Sequence, residues 1–162
     1  MVLKRQLFRH VDYVSFMNFK ELSKFVGHWQ RGGCMEQRMA YLYGYFSEDP
    51  NYPQGVRVNV EAIYDPPQIS EVGGCLELDD PGLHKVDILA NTLGLERVGL
   101  IFTKIDQETI LTADEVKRAA TLQQQYSFEH PIGIKVPKFV TVVVSLKGED
   151  VEVNAYMVSD QC

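Results

Sequence analysis

The chain predicts an α+β domain, a mixed β-sheet with helices packed on it. Three observations carry this. Val56 to Tyr64 alternates Val56, Val58, Val60, Ala62 and Tyr64 against Arg57, Asn59 and Glu61, the period-two pattern of a half-buried strand. Phe19 to Trp29 instead spaces Phe19, Leu22, Phe25, Val26 and Trp29 by three and four, as an amphipathic helix does. The elements then run strand, helix, strand, strand, helix, strand, helix, strand, strand, which is not a regular β-α-β-α series.

In chain order, His10 to Phe16 reads as a first strand, with Val14 and Phe16 breaking its alternation. Asn18 fits the N-cap of the Phe19 helix, and Gly32-Gly33 breaks it. Arg38 to Phe46 is dense in aromatics (Tyr41, Tyr43, Tyr45, Phe46); a strand packed on both sides is favoured there over a ligand-stacking face. Ser47 to Gly55 is a loop. Pro66-Pro67-Gln68 reads as a strand terminator, with a partner-recognition element as the sharper alternative. Ile69 to Gly74 reads as loop, with Leu76 and Leu78 in a short strand. Asp79-Asp80-Pro81 opens a second helix, because carboxylates complement a helix N-terminus and proline is tolerated in the first turn. Leu83, Val86, Leu89, Ala90 and Leu93 form its expected buried face, and Gly94 suits a left-handed cap.

Val98 to Thr103 is a short apolar run of strand-forming residues. Thr112, with Glu115 three residues on, is a capping box for a third helix running to about Tyr126, with Val116, Ala119, Ala120 and Gln123 on one side. Ser127 to Lys138 holds Pro131, Gly133 and Pro137 and reads as loop. Phe139 to Leu146 and Val151 to Val158 form a hairpin across Lys-Gly-Glu-Asp.

A length of 162 residues fits one domain, residues 1–162, with residues 1–9 as a flexible N-terminal extension. The formal charge of -6 argues against phosphate-backbone binding, so no nucleic-acid partner is expected. No run approaches the roughly 18–20 apolar residues of a membrane span. The N-terminus lacks the apolar core of a secretory signal. Cys34, Cys75 and Cys162 are widely spaced and odd in number, which suits free thiols in a reducing compartment. Cytosolic or nuclear residence follows.

Residue chemistry alone yields no enzyme. His10, His28, His84 and His130 are far apart, none with a ligand partner at metal-binding spacing. The glycines form neither a GxGxxG nor a P-loop pattern, and no GxSxG is present. Cys34 has no nucleophile signature around it and reads as a structural thiol; Glu129-His130 beside Pro131 reads as turn.

The order of elements resembles that of the MPN domain, the fold of the JAMM metalloproteases that remove ubiquitin, with the strand, loop and capped helix from Leu93 to Glu115 at the site corner. In those enzymes two histidines and an aspartate hold zinc, and a glutamate acts as base on the metal-bound water. Laid on this chain, Val98-Gly99-Leu100-Ile101 matches the strand. The histidine positions then fall on Phe102 and Lys104, the proline on Ile105, the Ser-x-x-Asp on Thr112 to Glu115, and the glutamate near Gln37. Phenylalanine cannot ligate, lysine repels zinc and glutamine is no base. The resemblance therefore implies vestigial metalloprotease positions at Gln37, Phe102, Lys104, Thr112 and Glu115, with no metal, no cofactor and no catalysis.

Further phrases resemble the nuclear protein localization protein 4 family. They are Phe8-Arg-His-Val-Asp12, Tyr41-Leu-Tyr-Gly44, Ala62-Ile-Tyr-Asp-Pro-Pro-Gln68, Leu93 to Thr103, Lys138-Phe-Val-Thr141 and Val158-Ser-Asp-Gln-Cys162. That resemblance implies an inactive MPN domain in a cofactor that pairs with the ubiquitin fusion degradation protein. The pair delivers polyubiquitinated substrates to a AAA ATPase unfoldase, valosin-containing protein in animals. It also implies cytoplasmic and nuclear residence, with peripheral association at the endoplasmic reticulum through partners. The family's ubiquitin-like domain, zinc fingers and carboxy-terminal domain have no counterpart in these residues, and the segment from Thr103 to Thr112 is short, so an excised domain or truncated product is expected. ATPase docking and ubiquitin handling then depend on parts outside it. A divergent JAMM-type deubiquitinating hydrolase is the alternative, and a structural hub for flanking parts a third.

Overall fold

β3 (Val56–Tyr64) lies between β1 (Tyr13–Phe16), which runs parallel to it, and β2 (Met39–Glu48), which runs antiparallel. The computed structural model describes residues 10–71, 74–105, 109–129, 131, 133, 135–148 and 150–159. Beyond β2 the sheet continues through β6 (Glu96–Lys104), β9 (Val140–Lys147) and β10 (Asp150–Tyr156), giving the order β1-β3-β2-β6-β9-β10. β6 and β9 are parallel, and β9 and β10 form an antiparallel pair. Two short hairpins stand outside this sheet, β4 (Gln68–Glu71) with β5 (Gly74–Glu77), and β7 (Phe128–Glu129) with β8 (Lys135–Val136). The helices are α1 (Phe19–Arg31), α2 (Leu83–Thr92) and α3 (Ala113–Gln125). The arrangement is α+β and MPN-like.

Strand alternation divides the core in two. Leu22, Phe25 and Trp29 of α1 pack with Ala40, Leu42, Val58, Val60, Val142 and Val144 on one face. Met39, Tyr41, Tyr43, Leu100, Phe102 and Val143 turn to the other face and meet Ala90 of α2 and Leu122 of α3. There the Tyr126 and Phe139 rings stack with centroids 5.1 Å apart. Among the described residues, no helix is long and apolar enough to cross a membrane.

Several expectations change. The first strand shortens to four residues, and Asn18 occupies the N-cap position of α1 without a side-chain cap. Phe19, at the first turn of α1, is exposed. Asn59 is buried and donates to Ser47 Oγ at 2.9 Å, because β3 is a central strand covered on both faces. Ile69 to Glu71 is strand, paired with Gly74 to Leu76, rather than loop. Gln68 anchors it: its side-chain amide accepts from Met39 N and donates to Met39 O, both at 2.8 Å, standing in for a strand partner. Gln68 of Pro66-Pro67-Gln68 therefore also bonds the sheet. In α2, Leu89 and Leu93 lie at 61% and 67% exposure. The inward stripe is Leu83, Val86, Asp87 and Ala90, because Asp87 is drawn to Arg97 beneath it. His130, Cys162 and the expected 1–9 extension lie outside the described residues.

Candidate functional site

The capping box read from Thr112 and Glu115 is formed. Thr112 Oγ1 accepts from Glu115 N at 3.3 Å, and Glu115 Oε2 accepts from Thr112 N at 2.7 Å. That second bond holds the Glu115 carboxylate over the sheet. Lys104, the last residue of β6, reaches it: Nζ donates to Glu115 Oε2 at 3.3 Å and to Thr109 Oγ1 at 2.9 Å. Gln37 Nε2 donates to Glu115 Oε1 at 3.0 Å. The side chains of Lys104 and Glu115 are 4% and 13% exposed, so the pair is desolvated. Desolvation is offset only when the remaining lone pairs are also bonded, and here three N–H donors surround one carboxylate.

Four of the five positions named from sequence thus meet in one cluster. Register explains the meeting. Gln37 precedes Met39 by two residues, Met39 sits opposite Phe102, and Lys104 follows Phe102 by two, so all point to the same face. Phe102 itself is buried in the apolar cluster with Met39, Leu100 and Phe139. Thr103 points the other way and ties down the same edge: Arg38 N donates to its Oγ1, and its own N donates to Arg38 O, each at 2.8 Å. Sequence reading missed Thr109 and Thr103, whose roles depend on contacts that no spacing announces. The histidines do not converge; His10, His28 and His84 are exposed, and no group of three metal-ligating side chains occurs among the described residues. Cys34 and Cys75 are free thiols, and burial pushes the Cys75 thiol up.

A second polar cluster lies on the same face. Arg97 Nη2 donates to both Asp87 oxygens, at 2.8 and 2.7 Å, and Nη1 donates to Tyr126 Oη at 2.7 Å. The guanidinium carbon stands 4.4 Å from the centre of the Tyr41 ring. Tyr43 donates to Asp87, Tyr41 to Glu77 and Tyr64 to Asp80. Burial, then the bonds to Glu77 and Asp87, pushes the Tyr41 and Tyr43 phenols up. The bond to Asp80, then burial, pushes Tyr64 up to about 12. Each folded value is raised above the unfolded value of about 10, so the fold favours the protonated phenol and is stabilised fully below that pH. The midpoint of urea unfolding should therefore hold steady to about pH 9 and fall between about pH 10 and 12. Tyrosinate absorbance followed beside circular dichroism checks this; free ionisation near pH 10 with unchanged stability would refute it.

The NPL4 family model matches residues 38–162. The chain belongs to the NPL4 family. It is 36% identical to the nuclear protein localization protein 4 homolog of Drosophila melanogaster over 183 residues, covering 100% of this chain and 28% of that protein. The human homolog is 35% identical, with 100% and 29% covered. Nuclear protein localization protein 4 of Schizosaccharomyces pombe is 34% identical, with 99% and 31% covered. The chain thus spans less than a third of the length of these relatives. The aligned stretch of the fly protein is longer than this chain, so that relative holds extra residues within it.

Proposed function

We propose that this chain is a non-catalytic adaptor module of a ubiquitin-recognition cofactor, working through protein contacts to help deliver polyubiquitinated substrates to a AAA ATPase unfoldase. One observation carries the non-catalytic part. Where the resemblance would place zinc ligands, Phe102 is in the apolar core and the Lys104 ammonium lies on Glu115. Glu115 is the one ligand-capable side chain of the set, and its oxygens already accept from Gln37, Lys104 and Thr112. A cation there would have to displace another cation from a desolvated carboxylate, with no group of three metal-ligating side chains among the described residues to complete its shell. Family membership supports the adaptor part, since the relatives' names speak of protein localization and of no reaction. The ubiquitin fusion degradation protein, ubiquitin chains and the ATPase are the partners this reading brings. Residence is cytoplasmic and nuclear, with peripheral attachment at the endoplasmic reticulum through those partners.

Metal analysis of the chain purified without chelator should find zinc well below one per molecule, and linked ubiquitin chains should stay intact in its presence. Titration with the ubiquitin fusion degradation protein should show saturable binding. Stoichiometric zinc, with cleavage lost in Glu115→Ala, would instead establish the divergent hydrolase.

A further inference from the structure

The six-stranded sheet ends on β10, whose outer edge is open. Among the described residues, no hydrogen bond outside the β9 ladder reaches the main chain of Asp150–Tyr156. The chain leaves this edge directly afterwards. Val158 N donates to Gln123 Oε1 at 3.1 Å and Val158 O accepts from Gln123 Nε2 at 2.7 Å, which ties the next residues to α3. An open edge is a template for another strand, so native edges are kept short, bulged, or marked by proline or lysine. β10 has none of these devices. It pairs with β9 in unbroken register over seven residues and contains neither proline nor lysine. The opposite edge, β1, is four residues long.

Side chains of β10 sort by face. Val151, Val153 and Ala155 stand opposite Leu146, Val144 and Val142 of β9, on the α1 side of the sheet. Val144 is 0% exposed, whereas Val153 beside it is 38% exposed. The apolar layer under α1 therefore runs out at β9 and leaves an apolar row on the edge strand. Asp150, Glu152, Asn154 and Tyr156 point to the other face. There Glu152 meets Lys147 at 3.8 Å.

We propose that β10 pairs antiparallel with β10 of a second copy of this chain, about a two-fold axis at Val153. The strand's own pattern selects both the occupant and the register. Val153 then faces Val153, Val151 faces Ala155, Glu152 faces Asn154 and Asp150 faces Tyr156. The apolar row continues across the axis, and no acid faces an acid. An axis at Glu152 would instead oppose two carboxylates. The two-fold closes the assembly at two copies and joins their six-stranded sheets edge to edge. Strand addition alone buries less than the roughly 1,200 Å² of a standard interface, so the pair is weak and reversible. The formal charge of -6 on each chain opposes it further. This pairing does not depend on the adaptor reading.

Sedimentation equilibrium of the whole chain should show monomer and dimer exchanging with a Kd of about 10–100 µM in about 0.15 M NaCl. Raising NaCl to about 0.5 M should tighten the pair roughly two- to fivefold, by screening like charges. Val153→Lys sets two ammoniums face to face and should weaken it at least about tenfold, with far-UV circular dichroism unchanged. Asn154→Lys sets an ammonium against Glu152 of the other copy, at two symmetric places, and should tighten it roughly two- to tenfold. Asn91→Lys, on the exposed side of α2, makes the same change of net charge and should tighten it less than about twofold. A chain that stays monomeric at about 0.5 mM overturns the proposal. So does parental association in Val153→Lys, assembly beyond two copies, or an Asn154→Lys chain that tightens no more than Asn91→Lys.

Discussion

Glu115→Ala is expected to lower stability by about 3–5 kcal/mol, far more than a helix-surface substitution. Two losses combine. The Glu115 half of the capping box goes, leaving Thr112 N without its acceptor while Thr112 Oγ1 still caps the backbone N of residue 115, a loss of about 0.5–1.5 kcal/mol by itself. The larger loss is electrostatic, since the Lys104 ammonium keeps Thr109 but is left in a desolvated site without its anion. Lys104→Met should cost less, because the carboxylate it abandons still accepts from Gln37 and from Thr112 N. The informative variant is the pair Lys104→Met with Glu115→Gln. Glutamine at this position keeps the cap, and no net charge remains buried, so most of the loss should return. Urea unfolding of the two single variants and the double gives the coupling directly. A Glu115→Ala cost below about 1 kcal/mol would show that the pair is solvated and only ornamental. The same cycle bears on function, because an ammonium that holds α3 to β6 gives the corner a structural use.

How much of this was readable in advance depends on how far each feature reaches along the chain. The capping box joins residues three apart, and the alternation of Val56 to Tyr64 is local, so both appear in the sequence and in the fold. The contact of Gln37 with Glu115 spans 78 positions. Nothing in either neighbourhood announces it, and only the resemblance placed them together. Leu89 and Leu93 show the converse failure. α2 is apolar on more than one side, so spacing alone could not choose its inward stripe. Arg97, on a strand yet to come, chose it by binding Asp87. The β4–β5 hairpin was missed for a similar reason. Ile69 and Leu76 pair across it but stay half exposed, so no hydrophobic pattern marks it. Its anchor is a Gln68 amide bound to a backbone 29 residues away. Tyr41 and Tyr43 lie buried in a strand packed on both sides, as the aromatic run predicts, but what they pack around is a guanidinium.

Gly44→Ala should be the most damaging single methyl group among the described glycines. β2 slips register on both flanks within three residues. Against β3, Tyr43 faces Ala62 and Gly44 faces Val60, leaving Glu61 unpaired. Against β6, Leu42 faces Gly99 and Tyr43 faces Arg97. Such bulges bend a strand and bring backbones close. At Gly44 a Cβ would stand 1.9 Å from the Asn59 carbonyl oxygen and 3.1 Å from Val60 Cα. Both obstacles are main chain of a central strand, so no side chain can swing aside, and relief requires parting the β2–β3 ladder. A cost of about 3 kcal/mol or more is expected, lowering Tm by roughly 10 °C in a domain of this size. Gly74→Ala is the control, since its Cβ meets nothing within 4 Å, and it should melt within about 2 °C of the parent. Equal melting of the two variants would refute the close approach. Because β2 carries Tyr41 and Tyr43 and leads directly from Gln37, the same bulge also sets where the two polar clusters stand. A Gly44→Ala chain that still folds should therefore lose the alkaline protection of its tyrosines along with its thermal stability.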